Sequence, residues 1–148
     1  MTSPDTLRLE RVVSAPPARV WKAWTTAEGL ASWWWSHWPD TTYAVDLRVG
    51  GSYLIDAAAH GVGVTGEFEK LDEPHHIEMT WVWLDDGVRG DLEHVAVTFT
   101  AADDGRTRIE IVHTGPWRTP EPAESYAMGW NFTLDQLKAM LAQEPTTS

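Results

Sequence analysis

The sequence predicts an α+β domain in which a curved antiparallel sheet grips one long C-terminal helix, with two short helices after the first strand. Two patterns carry that prediction. From Thr41 to His113 the chain runs in short stretches of period two, broken by Gly50-Gly51, Gly61, Gly63, Gly66, Pro74, Asp85-Asp86-Gly87 and Asp103-Asp104-Gly105. After them Tyr126, Trp130, Leu134, Leu137 and Leu141 recur at helical spacing, a stripe about one helix face wide. At 148 residues one core suffices, and residues 1–148 read as a single domain with an ordered part of about 7–142.

The elements follow in order. Leu7, Leu9, Arg11 and Val13 alternate with their neighbours as a first strand over Thr6 to Val13, and Ser14-Ala15-Pro16-Pro17 stops it. Proline suits the first turn of a helix, and Val20, Ala23 and Trp24 then fall on one face. Thr25 and Glu28, three apart, resemble a capping box for a second short helix through Leu30. Six strands are expected next: Tyr43 to Leu47, Ser52 to Ala57, Val62 to Leu71, His76 to Leu84, Leu92 to Thr100 and Thr107 to His113. In the fourth, Ile77, Met79, Trp81 and Trp83 share one face and Glu78, Thr80 and Val82 the other. Val95, Val97 and Phe99, then Ile109, Ile111 and His113, continue the inward face. Thr119 is the expected cap of the last helix, with Pro120, Glu121, Pro122 and Glu124 in its first turn, and the tail from Glu144 frays.

Composition narrows the partners. A formal net charge of −11 disfavours DNA, RNA and anionic lipid, all of which draw affinity from Lys and Arg. No apolar run approaches the roughly 20 residues that span a bilayer, and the first residues carry no secretory pattern, so a cytoplasmic location is expected. With no cysteine, disulfides and thiolate chemistry are excluded. Ten tryptophans, Trp33-Trp34-Trp35 consecutive and Trp38 close behind, supply large flat apolar surface.

An ordered set of segments resembles a known family. It comprises Arg11 to Trp24 (RVVSAPPARVWKAW), Trp33-Trp34, Val45 to Tyr53 (VDLRVGGSY) and Gly66 to Pro74 (GEFEKLDEP). Met79-Thr80-Trp81, Val97-Thr98-Phe99, Thr107-Arg108-Ile109, and Gly129-Trp130 with Leu134 and Leu137 complete it. Together they resemble the branch of the SRPBCC (START-like) superfamily named for activators of the heat-shock-protein-90 ATPase. The resemblance implies a helix-grip (START or Bet v-like) fold, no cofactor, and a cavity between sheet and C-terminal helix. The family's founding activator carries an additional N-terminal domain for which there is no room before Leu7, so a chaperone partner is disfavoured. Other superfamily members bind or modify aromatic polyketides, and a few protect against enediyne antibiotics as sacrificial targets.

The expected ligand is therefore a small hydrophobic molecule, planar and aromatic or polyketide-like. The expected contacts are Trp33, Trp34, Tyr53, Phe68, Trp81, Trp83, Val97, Ile111, Trp130 and Leu134. Phe132 near the helix start is a further inward candidate, and at least one of the three consecutive tryptophans must reach the surface. A cyclase or aromatase activity and antibiotic self-resistance are the alternatives on this fold; oligomers are compatible with it. Among His60, His75, His76, His94 and His113, none has metal spacing or a nucleophile motif, and neither HExxH nor G-x-S-x-G occurs. No metal is expected. His113 alone continues an apolar inward face, which makes it the one candidate for an acid or base. Glu67 and Glu69 flank Phe68 and are expected in solvent, and Gly50-Gly51 is a turn rather than a phosphate loop.

Overall fold

A computed structural model describes residues 6–38, 40–119 and 121–143. Pro120 and the tail from Glu144, both assigned above, lie outside them. The elements are β1 (Thr6–Val13), α1 (Pro17–Thr25), α2 (Ala27–Ala31), β2 (Thr42–Val45), β3 (Ser52–Ala57) and β4 (Val62–Asp72). They continue with β5 (His76–Asp85), β6 (Val88–Ala101), β7 (Thr107–Thr114) and α3 (Glu121–Gln143). The seven strands form one antiparallel sheet in the order β1-β7-β6-β5-β4-β3-β2. The meander from β2 to β7 pairs each strand with the next, and β1 joins beside β7, so the first and second strands lie at opposite edges. The helical pair α1 and α2 bridges them, α1 against β6 and α2 against β2. α3 returns to pack along β1, where Arg11 pairs with Asp135 at 3.5 Å and donates to the Asn131 side chain.

The turns hold where the dipeptides placed them. Asp86 and Gly87 between β5 and β6, and Asp104 and Gly105 between β6 and β7, all take positive φ, the left-handed geometry that Asp tolerates and glycine favours. β4 carries a register shift between Phe68 and Lys70, a bulge that bends the strand. Phe68 is buried while Glu67 and Glu69 are exposed. Between sheet and α3 lies one apolar core, in which Val13, Val20, Phe99, Ile109, Ile111, Leu134 and Leu137 are all nearly inaccessible.

Several sequence expectations need correction. The cap of α2 is Thr26, whose hydroxyl accepts from the Gly29 amide at 2.9 Å; Thr25 instead donates to the Trp21 carbonyl and closes α1. Thr26 has the extended backbone that an N-cap requires. β2 stops at Val45, leaving Leu47 exposed, and β6 begins four residues before Leu92, at Val88. Val82, assigned outward, is buried, next to a register shift between Val82 and Leu84 at the end of β5. Phe132 points away from the core at 46% exposure; Trp130, Thr133, Leu134 and Leu137 hold the buried face of α3. The tryptophan triplet follows α2 as a turn, with Trp33 and Trp34 buried, while Trp35, at φ 51, is half-buried.

Candidate functional site

The N-terminal half of α3 stands over β5 and the tryptophan turn, and a cleft of about 330 Å³ opens there. Its lining is Trp34, Trp35, Trp81, Trp83, Pro122, Ser125, Tyr126, Gly129, Trp130 and Thr133. The cleft exists because α3 presents small side chains one turn apart, Ser125, Gly129 and Thr133. At Gly129 an added Cβ would meet nothing within 4 Å. The opposite walls are large and flat. Trp34 and Trp130 meet at 81° with ring centres 5.2 Å apart, and Trp35 and Trp83 at 86° and 5.9 Å. Tyr126 meets Trp81 at 84° and Trp83 at 80°. Edge-to-face contacts of this kind are favoured by the ring quadrupoles, and walls at right angles make the corners of a box.

Behind the cleft lies a polar cluster. Glu93 is only 6% exposed and His113 is wholly buried. One Glu93 carboxylate oxygen accepts from His113 Nε2 at 2.7 Å and the other from Trp117 Nε1 at 3.1 Å. Trp130 Nε1 in turn donates to His113 Nδ1 at 3.0 Å. An indole nitrogen can only donate, so His113 Nδ1 is unprotonated and Nε2 carries the hydrogen. Burial pushes the His113 pKa down, against the pull of the Glu93 hydrogen bond and charge. Tyr126 joins this cluster to the cleft: its hydroxyl accepts from Trp81 Nε1 at 3.3 Å and has Glu93 as a second partner. Burial, reinforced by the Glu93 charge, raises the Tyr126 pKa far above its usual 10, so the phenol stays neutral.

Of the residues expected to touch a ligand, Trp34, Trp81, Trp83 and Trp130 line this cleft. Tyr53 and Phe68 border a separate void of about 20 Å³ with Trp24, Leu30 and Trp34, a volume that suits one water. Among the described residues, the indole nitrogens of Trp24 and Trp34 have no acceptor. Tyr53 donates to the Thr80 carbonyl at 2.6 Å, and burial raises its pKa. Trp33, Val97, Ile111 and Leu134 line neither space and pack in the core, Trp33 donating to the Ala23 carbonyl at 2.8 Å. As an acid or base, His113 has both ring nitrogens engaged, so taking up a proton at Nδ1 requires displacing the Trp130 donor. Glu93, Trp117 and the role of Tyr126 were missed. Glu93 shares the strand parity of Val95, Val97 and Phe99, a signal sufficient to place it inward. Among the described residues no group of three or more His, Asp or Glu side chains could hold a metal ion, and no helix is long and apolar enough to cross a membrane.

Solved structures share this architecture. DynU16, from the dynemicin biosynthetic locus, superposes with a TM-score of 0.79 at 22% identity; the match covers 94% of this chain but only 48% of that one, so the chain spans about half its length. CV1439 from Chromobacterium violaceum matches at 29% identity and a TM-score of 0.75, over 96% of this chain and all of its own. PFC0360w, an HSP90 activator from Plasmodium falciparum, matches at 20% and 0.71, over 93% of this chain and 96% of that one. No curated protein matches the sequence. The family model described as activator of Hsp90 ATPase homolog 1-like protein matches residues 14–142, nearly all of the helix-grip domain, and the chain belongs to that family.

Proposed function

We propose that this protein binds a small, planar, hydrophobic molecule in the cleft between α3 and β5, and does so in the cytoplasm. The observation that carries the reading is the cleft itself: about 330 Å³, walled by five indoles and a phenol with a few hydroxyls at its edge. That volume lies at the small end of ligand pockets, and its lining has their usual mixture of much apolar surface and few polar groups. DynU16, a structural match, comes from a biosynthetic locus, a setting in keeping with a small-molecule ligand. The acidic surface, −11 in formal charge, makes nucleic acid an unsuitable partner.

Intrinsic tryptophan fluorescence tests the proposal, because the rings that would touch the ligand are the reporters. Titration with planar two- and three-ring aromatics should shift the emission of the wild type. Trp81→Ala should abolish the shift. Since Trp81 also packs against Trp34 and Trp130, the half-buried rim residue Trp83 provides a second variant, and Trp83→Ala should weaken binding about tenfold or more with the fold intact. No response across the panel, or an equal response in Trp83→Ala, would overturn the assignment.

A second reading, an enzyme of the cyclase or aromatase kind, draws on the buried Glu93–His113 pair beside Tyr126. A ligand turned over with a pH-rate profile that disappears in His113→Asn supports it; unchanged turnover in that variant removes it.

A further inference from the structure

The cleft has an electrostatic character that its apolar walls conceal. Glu93 accepts hydrogen bonds from the His113 and Trp117 ring nitrogens and has the Tyr126 hydroxyl beside it. All three are neutral groups able to donate, and an ionised carboxylate, which only accepts, matches them. A hydrogen on Glu93 itself would find one acceptor, the Tyr126 oxygen, which already accepts from Trp81 Nε1. Among the described residues no lysine or arginine pairs with this carboxylate, whose one charge-type contact is the neutral His113. This carboxylate is therefore buried among neutral hydrogen-bond donors, with no paired cation beside it. Tyr126 reaches from that carboxylate into the cleft wall.

None of the ten lining residues is charged, so no resident cation occupies the space. Next to the lining residues Pro122 and Ser125, the first turn of α3 adds Glu121 and Glu124, which offset the positive end of the helix dipole; the exposed Arg118 precedes them. Indole faces are the best aromatic partners for a positive charge, above all where water is excluded. Here Trp34 and Trp130, Trp35 and Trp83, and Tyr126 with both Trp81 and Trp83 meet at steep angles, while Trp81 is tilted at 46° to Trp34 and 40° to Trp130.

From this juxtaposition we propose that the cleft is an aromatic cage for an organic cation, selecting a planar or aryl ligand that carries a tertiary or quaternary ammonium group. The inference rests on the ligand-binding reading above and names the chemical class that fills the site. The rings supply cation–π attraction, Glu93 supplies a fixed counter-charge through the Tyr126 wall, and a bulky alkylated ammonium loses little hydration on entry. Anionic aromatics of the same shape are excluded by the same carboxylate.

The test uses two soluble ligands of nearly identical shape, 4-(trimethylammonio)phenol and 4-tert-butylphenol, titrated calorimetrically into the full chain at low and moderate salt. The expected result is that the cation binds about tenfold more tightly than its neutral twin. In Glu93→Gln that ratio should fall severalfold. If this variant does not fold, by near-ultraviolet circular dichroism, the wild-type ratio alone decides. Equal binding of the pair, or tighter binding of the neutral phenol, overturns the cation preference and leaves the planar-ligand reading standing. Binding of neither, together with a silent aromatic panel, overturns both.

Discussion

His113 should make the protein lose stability as pH falls through the mid-sixes, and replacing it should remove that dependence. Its ring is inaccessible, and burial pushes its pKa below the ordinary 6.5 of the unfolded chain. Geometry agrees: a proton added at Nδ1 would face the Trp130 N–H that donates there at 3.0 Å. A base with a depressed native pKa binds its proton more readily when unfolded. Unfolding is then favoured once pH drops below about 6.5, and it becomes steadily more favoured until the native pKa is reached. Well below 6.5 one such group contributes a slope approaching about 1.4 kcal/mol per pH unit. His113→Asn is the informative variant, since its Oδ1 can still accept from Trp130 while nothing titrates. It should cost about 1–3 kcal/mol at neutral pH, because Glu93 loses its Nε2 donor. Urea unfolding followed by tryptophan emission, from about pH 7.5 to about pH 5.5, measures both. The wild type should show the steeper decline, the other five histidines being common to the two proteins. Equal slopes in two folded proteins would refute the argument that His113 is held neutral by burial and by the Trp130 donor.

Two glycines make opposite predictions. At Gly129 an added methyl group meets open space inside a helix, so Gly129→Ala should stabilise the fold by about 0.5–1 kcal/mol, read as a higher unfolding midpoint. Gly129→Leu should fill the cleft and abolish the fluorescence response to planar ligands without lowering that midpoint. At Gly66 a Cβ would lie 2.0 Å from the Thr80 carbonyl oxygen, the same atom that accepts the Tyr53 hydroxyl. Gly66→Ala should therefore cost about 2–3 kcal/mol by forcing β4 and β5 apart, measured by the same denaturation.

Strand parity and turn residues made the sheet legible. Every strand of the meander has Gly or Asp-Gly punctuation at one end or both, and a one-residue slip would have exposed Val95, Val97 and Phe99 together. Errors came where neighbours compete for one role. Thr25 and Thr26 are both capable caps, and only the extended backbone at Thr26 decides between them. In the tryptophan run the expectation that one ring must face outward holds for Trp35, although the reason differs: α2 has already ended at Ala31 and the residues form a turn. Glu93 escaped notice because its chemistry contradicts its position. Parity places it inward, charge argues outward, and the conflict is resolved by donors from β7, from the segment after it and from α3, none of which is near Glu93 in sequence.

The line between cleft and core was the least legible part, and the reason is physical. Hydrophobic periodicity reports which side chains leave water; it does not report whether another side chain fills the volume in front of them. Trp81 and Ile111 carry the same inward signal, yet Trp81 lines the cleft and Ile111 packs in the core. The determinant sits on the opposite element, where α3 presents Ser125, Gly129 and Thr133 over Trp81 and then Leu134, Leu137 and Leu141 further along. One helix thus builds both halves: small residues in its first half leave an aromatic box open, and leucines in its second half seal the core. A run of small residues at four-residue spacing on a helix that otherwise buries large ones is the sequence signal for such a cavity, and it is available before any coordinates are.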